Sequence, residues 1–140
     1  MKKNVAVLLF MALALLLSRS LSAQVVIIAN PSVKASDIKK SDLRDIFSGS
    51  ANTLPDGGHV VPILLKGGSV HEEFLQAYIG KPDSTFRAAW RSLVFSGQAS
   101  MPKSLDSEAA VVEYVSHTSG AIGYVGKATQ HEGVKVLAVR

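Results

Sequence analysis

The chain has no cysteine, which excludes a disulfide framework, a thiolate metal site and a thiol nucleophile. Aromatic residues make up only 6%, and no basic run is interleaved with them, so the usual footprint of a nucleic-acid binder is missing. The histidines are only His59, His71, His117 and His131, and none stands three or four residues from another. His71-Glu72-Glu73 therefore lacks the second histidine of a zinc-protease motif. There is no Gly-x-Ser-x-Gly elbow, and the glycines around Gly67 and Gly120 are not followed by the Lys-Ser/Thr of a nucleotide loop. These absences argue against an enzyme, a metal and a cofactor.

A long apolar run is also missing. The stretch from residue 5 to residue 17 is apolar but thirteen residues long, short of the roughly 20 that cross a bilayer. Lys2 and Lys3 precede it, and Ser18, Arg19, Ser20, Ser22 and Ala23 follow. Basic, apolar and small residues in that order read as a secretory signal peptide over 1–23, with cleavage after Ala23 or Ser22. Residues 24–140 then form the working domain, in the periplasm, and 117 residues suit one core. Lys2, Lys3 and Arg19 are three of the 15 basic residues; without them 12 face 11 acidic ones, and the net charge is +1 rather than +4.

Residues 25–29 are a continuous apolar run closed by Asn30-Pro31, the pattern of a strand buried on both faces. Residues 41–47 follow as a helix with Ile38, Leu43, Ile46 and Phe47 able to share one stripe, and Pro55-Asp56-Gly57-Gly58 marks a surface loop. Asp42, Arg44 and Asp45 read as its solvated face. Residues 60–65 are a second strand. Ser69 with Glu72 is a capping box opening a helix through Ile79, stopped by Gly80 and Pro82. Ser84 opens another, with Phe86, Trp90, Leu93, Val94 and Phe95 as its core stripe. A further helix from about Ser107 buries Ala110, Val111, Tyr114 and Val115, and residues 121–125 and 134–139 are the last strands. This order predicts an α/β domain with a small, mostly parallel sheet of about four strands flanked by helices. The last strand is expected antiparallel at an edge, since about eight residues are too few for a helical crossover. Trp90 and Tyr124 are read as core, while Tyr78 and Ile79 fit either core or a docking surface.

The most informative segment is strand, Gly-Gly, Ser, helix at 60–79. A helix leaving a strand end aims unpaired N–H groups and its dipole at one spot, which suits an anion. Gly68, Ser69, Val70 and His71 would form the seat, Ser69 through its hydroxyl and the others through N–H, with Lys66 adding charge. The alternative is plain helix capping, in which Ser69 and Glu72 satisfy the same donors.

Leu43-Arg44-Asp45-Ile46-Phe47-Ser48-Gly49, then Asp56-Gly57-Gly58, then the segment from Val60 to Ser69 with Phe74, resembles phosphate-type periplasmic solute-binding proteins of ABC importers. Trp90, Phe95-Ser96-Gly97 and Pro102 are similar to the small, stand-alone members, and Ser119-Gly120-Ala121-Ile122-Gly123-Tyr124-Val125 matches a segment common to small and large forms. The resemblance implies a single lobe of the type 2 periplasmic binding fold and a module for phosphate or a related oxyanion. It also implies a membrane permease or envelope partner, and a second copy or another protein to supply the facing lobe. Leu65, Gly67, Val70 and His71 stand where phosphate binders carry arginine, aspartate, glycine and threonine; Lys66 lies one position from that arginine. These departures favour a second reading, a ligand-free interaction or sensor accessory of the envelope built on the same fold.

Overall fold

The computed structural model describes residues 24–140, so the signal-peptide segment 1–23 lies outside the described residues. One six-stranded sheet organises the domain. Its strands are β1 (Val25–Ala29), β2 (Asp37–Ile38), β3 (Val61–Leu65), β4 (Lys103–Leu105), β5 (Ala121–Gly126) and β6 (Lys135–Val139), in the spatial order β2-β6-β1-β5-β3-β4. Helix α1 (Lys40–Phe47) precedes β3; α2 (Ser69–Phe74), extended by a π-helical turn at Leu75–Ile79, and α3 (Asp83–Phe95) follow it; α4 (Glu108–His117) precedes β5.

The sheet is mostly parallel because five strands share one direction and only β1 opposes them, pairing antiparallel with both β5 and β6. The expected antiparallel edge is thus corrected: β6 lies inside the sheet, between β2 and β1, and β1 is the reversed strand. The eight-residue argument assumed a helical crossover. Residues 127–134 instead cross β1 without a helix, and chain advancing up to about 3.3 Å per residue has the reach that helix, at about 1.5 Å, does not. Strands β2 and β4 escaped the sequence because two and three residues carry no periodicity, and Ile38, read with the α1 stripe, lies in β2 instead.

Alternation along β5 sets the layers. Tyr124 packs on Phe74 of α2, rings stacked 3.8 Å apart, and on Phe47 of α1 at 5.8 Å. Gly123 looks the other way, where a Cβ would meet Val111 and Val115 of α4 at 2.9 and 3.2 Å. Helices α1, α2 and α3 therefore cover one face and α4 the other. Trp90 is core, as expected, its indole N–H donating to the Phe47 carbonyl at 2.9 Å. The α3 stripe is shorter than expected: Phe86 and Trp90 are buried, Leu93 is half-buried, and Val94 and Phe95 are exposed. Helix α4 buries Val111 and Val115 but leaves Ala110 and Tyr114 half-exposed. Ile79 belongs to the core, with Tyr78 packed against it.

Candidate functional site

The chain leaves β3 at Leu65, crosses Lys66 and Gly67, and turns into α2 at Gly68. Gly68 is the N-cap, with φ 96° and ψ 174°, a conformation essentially reserved for glycine. Ser69 is consequently the first helical residue, and its hydroxyl caps nothing. The expected capping box does not form, because the cap position is taken by a residue without a side chain. The first N–H to find a partner is that of Glu72, on the Gly68 carbonyl at 3.0 Å. The N–H groups of Gly68, Ser69, Val70 and His71 precede it and make no hydrogen bond among the described residues. A Cβ added at Gly67 or Gly68 would meet nothing within 4 Å, so this backbone borders open space.

The predicted residues divide here. Gly68, Ser69, Val70 and the His71 N–H share the helix start. The His71 ring turns inward and is 1% exposed. Its Nε2 lies 2.6 Å from Asp83 Oδ1 and its Nδ1 2.5 Å from the Tyr124 hydroxyl. The Tyr124 oxygen also accepts the Leu65 N–H at 3.0 Å. Since Asp83 can only accept, Nε2 donates to it; in a neutral imidazole Nδ1 then accepts from the Tyr124 O–H. The Lys66 ammonium swings to Asp106, 3.1 Å away, in an exposed pair, an arrangement that contributes little to stability.

Asp83, Arg87 and Tyr124 complete a cluster that the sequence did not announce. Arg87 Nε donates to both Asp83 oxygens at 2.9 and 3.1 Å, and its Nη2 donates to the carbonyls of Lys66 at 2.9 Å and Leu65 at 3.2 Å. One guanidinium thus ties the start of α3 to the end of β3. Burial pushes the Asp83 carboxyl up, but hydrogen bonds from His71 and Arg87 and the Arg87 charge outweigh it and hold the carboxyl below its usual value. Burial drives the Tyr124 phenol well above its ordinary range, against a smaller opposing effect of the Leu65 N–H. The i,i+4 spacing of Asp83 and Arg87 was the one available sequence signal. Beside the helix start an open cavity of about 650 Å³ is lined by Ser69, Glu72, Leu75, Gln76, Pro82 and Asp83, among others. No cluster of three or more potential metal ligands occurs among the described residues.

A mostly parallel sheet with helices on both faces and a strand-to-helix turn of free N–H groups defines the class as a single α/β domain. Solved structures agree on the class. The chain is similar to a protein from Clostridium perfringens described as a phosphate ABC transporter substrate-binding protein with bound phosphate. The TM-score is 0.64 at 15% identity, over 83% of this chain and 44% of that one. An ABC-type phosphate transport receptor from Vibrio cholerae (TM-score 0.55, 12% identity, 83% and 46% covered) and PstS from Borrelia burgdorferi (0.54, 18%, 84% and 47%) share the fold. The chain spans less than half the length of each. No protein-family model matches the chain, and no curated protein does.

Proposed function

We propose that this protein is an exported, periplasmic solute-binding module for phosphate or a related oxyanion, working with ABC-type uptake. The observation that carries the reading is the run of unpartnered N–H groups from Gly68 to His71 at a helix start facing open space. Ser69 adds a free hydroxyl, and Lys66 lies close enough in sequence to leave Asp106 for a ligand. One lobe encloses only part of a solute, so a second copy, a permease or another envelope protein supplies the facing wall. Isothermal calorimetry with phosphate, sulfate and molybdate at millimolar concentration tests it. Heat that disappears in Ser69→Ala supports the seat; absence of heat with every anion refutes it.

A second reading, the ligand-free interaction or sensor accessory, is favoured by the fate of two positions. The Leu65 side chain is 3% exposed and the His71 ring 1% exposed, so neither can touch a solute. Under this reading Ser69→Ala changes no binding property, and the wild type gives no heat.

A further inference from the structure

Phe95 is 96% exposed, an extreme value for a phenylalanine, and Val94 (40%) and Met101 (46%) lie close to it in the chain. Exposed apolar clusters of this kind mark contact surfaces. Arg91 is four residues before Phe95 and shares its helix face. From residue 84 to residue 105 there is no acidic residue. Of the basic ones, Arg87 is spent on Asp83, whereas Arg91 makes no ion pair among the described residues. The C-terminal end of α3 is therefore an aromatic plug with a positive collar.

The other end of the same helix carries a complementary socket. The cavity of about 650 Å³ has apolar wall from Pro82, with Gln76 beside it, and two carboxylates, Glu72 and Glu73, against one ammonium, Lys81. Neither glutamate is engaged in an ion pair among the described residues. Asp83 and Phe95 are the two ends of a 13-residue helix, about 18 Å apart at 1.5 Å per residue, so the plug cannot reach the socket of its own chain. We propose that the protein self-associates head to tail, with Phe95 of one copy seated in the cavity between Glu72, Gln76 and Pro82 of the next. Arg91 then meets Glu72 and Glu73 across the contact, and successive α3 helices run in line with their dipoles aligned. The contact is heterologous, so it propagates beyond two copies unless its rotation closes a ring. A buried phenylalanine removes about 150–250 Å² from water, well under the roughly 800 Å² per partner of a standard interface. Association is accordingly weak. The socket includes Ser69 of the helix start, but the association needs no anion there.

Sedimentation velocity of the purified protein from about 10 μM to about 1 mM, a range suited to small interfaces, decides it. The wild type should gain mass with concentration and lose it with added salt. Phe95→Ser should stay monomeric throughout with an unchanged circular dichroism spectrum, since the side chain supports nothing in its own fold. Arg91→Glu and the double variant Glu72→Arg/Glu73→Arg should each weaken association at least about fivefold, and an equimolar mixture of the two should restore it. A wild type that remains monomeric over the whole range overturns the proposal. So does a Phe95→Ser protein that associates like the wild type, or a mixture that fails to recover.

Discussion

Tyr124 joins the core to the helix start. Its ring stacks on Phe74, and its hydroxyl serves Leu65 N–H and His71 Nδ1 at once. Tyr124→Phe keeps the packing and strands a buried donor and a buried acceptor, so urea denaturation should show a loss of about 2 kcal/mol. The raised phenol has a second consequence. Stability linked to it is complete below about pH 10, the unfolded value, and is lost as pH climbs toward the higher folded one. Tyr124→Phe should flatten that alkaline loss. Asp83 acts with the opposite sign. Its lowered folded value means that its contribution is complete above about pH 4 and disappears as pH falls through the folded value. Asp83→Asn should remove part of the acid dependence in denaturation midpoints measured between about pH 5 and about pH 2. The effect is modest, because the side chain is 42% exposed. Sequence reading placed Tyr124 in the core but missed this network, since its members are brought together from residues 65, 71, 83, 87 and 124 by the fold alone.

Helix ends were legible where a side chain does the capping and illegible where backbone does. Ser107 is the α4 N-cap, its Oγ accepting the Ala110 N–H at 3.1 Å, close to where the sequence put the start of that helix. Ser69 looked like the same device but sits one position inside, because Gly68 adopts a backbone that carries the cap without a side chain. The two serines should therefore differ. Thermal or urea unfolding should lose about 1 kcal/mol in Ser107→Ala and under about 0.5 kcal/mol in Ser69→Ala. Equal losses would restore the capping box. The stripe of α3 was over-read at its end: Leu93 keeps contact with the core, while Val94 and Phe95 extend past the body that would have covered them. The far end of α4 is held by Asn30, whose amide donates to the carbonyls of Val115 and Ser116 at 2.8 and 3.1 Å. In the sequence that residue is only a strand stop.

At the scale of the molecule, the distance between α4 and the sheet depends on a position with no side chain. Gly123 faces Val111 and Val115 so closely that Gly123→Ala must displace one of them. A loss of about 1–3 kcal/mol is expected by chemical denaturation, and an unchanged midpoint would mean that α4 yields without cost. The α/β class, the four longer strands and the four helices follow from the sequence alone, because periodicity, glycine stops and β-branched runs act over neighbouring residues. The reversed direction of β1 does not, since direction depends on which strands a segment meets, and β1 meets β5 and β6 from the far end of the chain. The seat at residues 68–71 shows the same division. A strand followed by Gly-Gly-Ser announces a helix start with free N–H groups. Only the packed core decides that the His71 ring turns inward to Tyr124 and Asp83, because burial rewards the hydrogen bonds it finds there.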